Sequence, residues 1–157
     1  MTKKLITLAL CTTIYIILSM MIQAISFGPI QFRLGEMLMV LPFINKRYSI
    51  SLILGCLIVN LFSTIGFVDV IFGTSSTVLM CWAITKTNNI WVIPIITGIL
   101  TGVMIGLELH FILGFPLLAS MLTVGAGEVI VVTLGVFIFE IIRKKNNYFY
   151  NLLKDSV

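Results

Sequence analysis

Glu128 follows three small residues in the run Val124-Gly125-Ala126-Gly127-Glu128. It lies about 11 residues into a long apolar stretch, which at about 1.5 Å per residue is near the middle of a membrane-crossing helix. An ionisable group at that depth costs several kcal/mol unless it is paired or hydrated. It therefore marks a functional site, or else a structural partner for a cation such as Arg33. One carboxylate can accept two parallel hydrogen bonds from an amidine-like edge. A guanine-type base offers that edge through its ring N–H and exocyclic amine. Arg33 and Glu36, in Gln31-Phe32-Arg33-Leu34-Gly35-Glu36, are three residues apart and share a helix face. They read as a surface ion pair or as the polar wall of a binding site. Asn60 and Asp69 flank a short loop. Asp69 suits a helix N-cap, and the Phe72-Gly73-Thr74-Ser75-Ser76-Thr77 stretch after it is small and polar enough for a flat ligand to approach. Phe27, Phe32 and Phe67 could stack on such a ligand. Glu108 and His110, the only histidine, read as residues of a wet loop. One histidine without a neighbouring His or Cys gives no metal site. Glu140 precedes Arg143-Lys144-Lys145 and reads as pairing locally.

These groups stand in a chain whose solvent is the bilayer. Of its 157 residues, 59% are hydrophobic and 10% charged, against about 25% charged in soluble domains; the mean hydropathy is +1.16. A soluble domain, a disordered chain and a disulfide-stapled secreted domain are excluded. Cys11, Cys56 and Cys81, scattered in apolar runs, read as small buried hydrophobes. There is no G-x-x-x-x-G-K-[ST] phosphate loop, so any ATP that drives transport is hydrolysed elsewhere.

Six apolar segments are legible: about 5–26, 32–44, 48–62, 70–85, 90–107 and 117–142, with a polar interfacial tail from Arg143. The fold expected is an all-α membrane bundle of six crossings over one domain, 1–157, with both termini cytoplasmic. A secretory signal is the lesser reading of the first segment, which is longer than the about 7–15 apolar residues such a signal carries and lacks a clear cleavage site. With six crossings, Lys3, Lys4, Lys46, Arg47, Lys86, Arg143, Lys144, Lys145 and Lys154 fall inside and Arg33 alone outside, nine against one, as the positive-inside rule requires. If the short second segment is re-entrant, five crossings remain and the best count is eight against two. Trp82 and Trp91 read as interfacial anchors. Gly98, Gly102 and Gly106 repeat every fourth residue, a spacing for close helix contact, within the chain more than between copies. Ala9 and Thr13 form a small-x-x-x-small pair suited to docking another membrane protein.

Gly28-Pro29-Ile30-Gln31-Phe32-Arg33-Leu34-Gly35-Glu36, Leu41-Pro42-Phe43, Gly55-Cys56, Asn60-Leu61, Asp69-Val70-Ile71-Phe72-Gly73 and Gly127-Glu128 together resemble the QueT family, substrate-binding S-components of energy-coupling factor transporters. The resemblance covers essentially the whole chain. It implies a six-helix bundle that binds queuine or a related deazaguanine, a queuosine precursor, near the outer face. It implies as partners a transmembrane coupling subunit and two cytoplasmic ATPases, which use the ATP, and a toppling motion that carries the site inward. Ala9 matches the first small position of the family's docking motif on the first helix, and Thr13 stands where alanine is commoner. Under this reading the substrate meets Glu128, Asp69, Asn60, Arg33, Glu36, Gln31, Phe32 and Gly73. No catalytic residue, metal, cofactor or nucleic acid belongs to the chain. The alternatives are an S-component for another vitamin-like solute, a ligand-free membrane assembly subunit, a small stand-alone channel or exporter, and an intramembrane enzyme. No H-E-x-x-H, paired-Asp or Ser–His arrangement supports the last.

Overall fold

The computed structural model describes residues 2–21, 32–63 and 65–155, and the fold is all-helical. α1 is Thr2–Met21; α2 is a 3-10 stretch, Leu34–Val40, running into a single α-turn, Leu41–Ile44; α3 is Tyr48–Asn60. α4 is Phe67–Ile84; α5 is Ile93–Leu113, entered through a 3-10 turn at Ile90–Val92; α6 is Leu117–Lys145; α7 is Asn147–Asp155.

Four helices are long and apolar enough to cross a membrane: α1, α4, α5 with its leading turn, and α6. α2 and α3 are shorter apolar helices, each about 20 Å long at about 2.0 Å per 3-10 residue and about 1.5 Å per α residue. The expectation of six full crossings is met in element count and not in length. α5 also runs further than expected. Instead of ending near Leu107 it continues to Leu113, so Glu108 and His110 lie in the helix and not in a wet loop.

Local chemistry sets the reversals. The Asn45 side chain accepts from the Arg47 N–H (3.1 Å) in the turn between α2 and α3. Asn89 accepts from the Trp91 N–H (3.0 Å) ahead of α5, and Pro94 occupies the first turn, where a missing N–H costs nothing. Gly114 closes α5 in the left-handed conformation (φ 72°), which glycine adopts without penalty. Pro116 then precedes α6.

The helices close into a ring in which each touches its neighbours in the order α1, α3, α4, α5, α6, α2 and back to α1. The α5–α6 contact is the most extensive. Gly98, Gly102 and Gly106 all face α6, and a methyl group at Gly102 would lie 2.7 Å from the Met121 carbonyl oxygen. The glycine repeat is therefore an internal seam. α1 and α3 are tied by hydrogen bonds from Thr12 Oγ1 to the Ser51 carbonyl (3.2 Å) and from Ser51 Oγ to the Leu8 carbonyl (2.9 Å).

The inside of the ring divides in two. Towards the lysine-rich end, Met39, Leu52, Ile84, Ile93, Val132 and Val136 form a dry apolar core. Towards the opposite end a small apolar cluster of Ile105, Leu109 and Val124 stands beside many buried polar residues: Arg33, Glu36, Asn60, Asp69, Ser76, Thr77, Thr101, Glu108 and Glu128. The outer surface of the ring is studded with Leu, Ile, Val and Phe side chains, as lipid contact requires.

α7 straps the lysine-rich end. The Tyr48 hydroxyl donates to the Leu153 carbonyl (3.0 Å) and Asn45 Nδ2 to the Lys154 carbonyl (3.1 Å), while Tyr150 packs on Phe139. The tail expected at the interface is thus an ordered amphipathic helix held to the bundle.

Candidate substrate-binding site

The polar half of the ring surrounds a cavity of about 20 Å³. That is room for a water molecule and less than any bicyclic base needs. Its lining is Arg33, Glu36, Gly73, Ser76, Thr77, Met80, Thr101, Ile105 and Glu128. Every one of these comes from α2, α4, α5, α6 or the residue leading into α2.

Arg33 and Glu36 are buried together, with Nη1 and Oε1 3.9 Å apart. At an effective dielectric of about 20 that attraction is about 4 kcal/mol. The pair is no surface ion pair. Glu36 Oε1 also accepts a hydrogen bond from the Tyr15 hydroxyl at 2.5 Å, and Tyr15 is fully buried on α1. Glu36 Oε2 and Glu128 Oε1 accept nothing from the described residues. Ser76 Oγ is likewise unpartnered, and Thr101 donates to the Met80 sulfur at 3.0 Å.

Nearer the end of the ring lies a second buried layer of Asn60, Asp69 and Glu108, each with no exposed surface. Asp69 is in the first turn of α4, and no side chain caps that helix. The capping role expected for Asp69 is not what the structure shows, because both its carboxylate oxygens lack partners among the described residues. Both oxygens of Glu108 lack them there too. Asn60 turns its amide nitrogen to the Cys56 sulfur (3.3 Å) and leaves Oδ1 unpartnered.

Four carboxylates, Glu36, Asp69, Glu108 and Glu128, thus share this half of the interior with one buried cation, Arg33, among the described residues. On insertion scales an ionised acidic side chain costs about 3 kcal/mol at the centre of a membrane helix, so a buried carboxyl without a partner either gives up its charge or is met by a donor or a cation. Such a cluster is a candidate place for a polar ligand to bind. Among the described residues no group of three His, Cys, Asp or Glu is placed to hold a metal.

Of the residues singled out in the sequence, Arg33, Glu36, Gly73 and Glu128 line the cavity and Asn60 and Asp69 sit buried beyond it. Gln31 and Phe27 lie outside the described residues. Phe32 is half-buried and is not part of the cavity lining. Phe67 is 73% exposed on the outside of the ring, so it does not stack within the site. Glu108, Tyr15, Ser76, Thr77 and Thr101 join this half of the ring beyond the residues the sequence points to. The polarity of the Gly73–Thr77 stretch signals two of them, while the polar Glu108 looks like loop. Ala9 and Thr13 are exposed on the outer face of α1, where Thr13 Oγ1 donates back to the Ala9 carbonyl (2.9 Å).

The QueT transporter family model matches residues 5–144 of the chain. The Queuosine precursor transporter QueT of Lactococcus lactis subsp. cremoris (strain MG1363) is 33% identical over 161 aligned residues, covering 92% of this chain and 94% of that protein. No solved structure matches.

Proposed function

The chain belongs to the QueT transporter family, and from that premise we propose that it is the substrate-binding membrane subunit of an energy-coupling-factor importer for a deazaguanine queuosine precursor. The family makes it a multi-pass membrane transport protein and not an enzyme. The lysine-rich end faces the cytoplasm, as the charge asymmetry of the sequence requires, and the polar half of the ring faces outward. Energy comes from a coupling subunit docked on the exposed Ala9–Thr13 face of α1 and from two partner ATPases that consume ATP.

The observation that carries the substrate reading is the excess of buried carboxylates over Arg33. Glu128 accepts the ring N–H and exocyclic amine of the base. A protonated amine on the substituent of the five-membered ring lies against the remaining carboxylates. Arg33, held by Glu36, donates to the base carbonyl. The cavity is smaller than the base, so the surrounding helices part to admit it.

Mass spectrometry of small molecules that co-purify with the detergent-solubilised protein tests this, followed by calorimetric titration with queuine and its 7-aminomethyl and 7-cyano precursors. A bound deazaguanine is expected. Binding of an unrelated vitamin would replace the substrate; absence of any ligand-dependent thermal shift would point to an assembly subunit.

A further inference from the structure

Cys56 is the hub of the polar half of the ring. It is on α3 with no exposed surface, and its sulfur receives three donors from three different elements. Thr77 Oγ1 on α4 lies 3.0 Å away, Asn60 Nδ2 one turn along α3 lies 3.3 Å away, and Arg33 Nη1 ahead of α2 lies 3.5 Å away. The thiol's own hydrogen points to the Gly73 carbonyl, 3.6 Å from the sulfur. Gly73 must lack a side chain for this to assemble, because a Cβ there would overlap the Asn60 amide.

Two of the three donors, Arg33 and Thr77, line the cavity, as does Gly73. Cys56 itself does not. An aliphatic residue of similar size would fill the same space, leave Arg33 and Asn60 without this acceptor, and leave the Thr77 hydroxyl to the Gly73 carbonyl alone (3.1 Å). A sulfur is a weak, soft acceptor, so it can steady a guanidinium without drawing it away from a ligand. A carboxylate in its place would add a fifth negative charge and pair with Arg33 outright.

We infer that Cys56 is a positioning residue for substrate recognition: through its sulfur it fixes the directions of Arg33 and Thr77 at the cavity. This rests on the deazaguanine reading above, since Arg33 is the donor to the base carbonyl. The sequence alone gives no hint of the role, because a cysteine in an apolar run reads as a small hydrophobe.

The test compares Cys56→Ser, which keeps a donor and an acceptor, with Cys56→Ala, in purified full-length protein, alone and combined with Arg33→Ala. The readouts are calorimetric affinity for the deazaguanine that binds the wild type most tightly, and the thermal midpoint without ligand. Cys56→Ala is expected to lose about three- to tenfold in affinity, the worth of one ordinary hydrogen bond, with little change in midpoint. Cys56→Ser is expected to recover most of that loss. In the Arg33→Ala background the Cys56→Ala loss is expected to shrink. Should Cys56→Ala fail to fold, Cys56→Val takes its place in the same comparison. Wild-type affinity in a folded Cys56→Ala or Cys56→Val protein would overturn the inference, and so would an equal loss with and without Arg33. If the wild type binds none of the bases, the functional reading itself fails and this one falls with it.

Discussion

The Tyr15 hydroxyl donates to Glu36 Oε1 at 2.5 Å across the α1–α2 contact, and Glu36 in turn stands 3.9 Å from Arg33. A helix whose outer face carries the exposed Ala9–Thr13 pair is thereby linked to the single buried cation described at the site. Tyr15→Phe keeps the ring and removes the donor, leaving Glu36 with neither oxygen satisfied by a hydroxyl. A loss of about 1–3 kcal/mol in stability is expected, together with weaker ligand binding. Thermal unfolding in detergent, with and without ligand, measures both.

Glu128→Gln separates binding from folding. The substitution replaces a buried carboxyl that has an unpartnered oxygen among the described residues with a neutral amide of the same shape, so the ligand-free protein is expected to melt no lower than the wild type. Affinity for the deazaguanine is expected to fall about ten- to hundredfold, as a charge-assisted pair of hydrogen bonds is lost. Equal affinity by titration calorimetry would remove Glu128 from the site.

Glu108 provides a check on the second buried layer. Glu108→Gln and Asp69→Asn each remove one of the uncompensated carboxylates. Each is expected to raise the ligand-free midpoint, since the transfer cost of a charge exceeds that of an amide. Each is also expected to reduce the preference for an amine-bearing base over its nitrile counterpart. Competition binding with the two bases reads this directly.

Gly102→Ala tests the α5–α6 seam. The added methyl would lie 2.7 Å from the Met121 carbonyl oxygen, and backbone has little room to yield. Overpacking of this kind costs about 1–3 kcal/mol. A lowered midpoint with an unchanged oligomeric state, by light scattering in detergent, is the expected result. A change in oligomeric state at constant midpoint would make the seam an external one.

The strap at the lysine-rich end is expected to matter for stability and not for recognition. Tyr48→Phe loses the hydrogen bond to the Leu153 carbonyl, worth about 1 kcal/mol. Affinity is expected to stay at the wild-type value, because the polar half of the ring is at the other end.

The apolar runs made six helical segments legible, and the order of charges along them showed which ends are basic. Boundaries failed where composition and geometry part. Glu108 and His110 look like loop residues because they are polar, yet α5 carries them on until Gly114 turns the chain. His110 Nδ1 lies 2.7 Å from the Phe115 carbonyl oxygen and finishes that turn. Glu128 was readable because a carboxylate deep in an apolar run has few innocent explanations. Cys56 was not readable, because its role comes from Arg33 and Thr77, which lie 23 and 21 residues away. Asp69 matched a capping pattern that any carboxylate near a helix start matches; only its unpartnered oxygens distinguish it.

α2 and α3, the two short helices, stand on either side of α1 in the ring. Among the described residues α1 is therefore a long helix between two shorter ones. Mismatch between helix length and bilayer costs a fraction of a kcal/mol for each Å, so membrane thickness is expected to bear on this flank more than on the α4–α6 side.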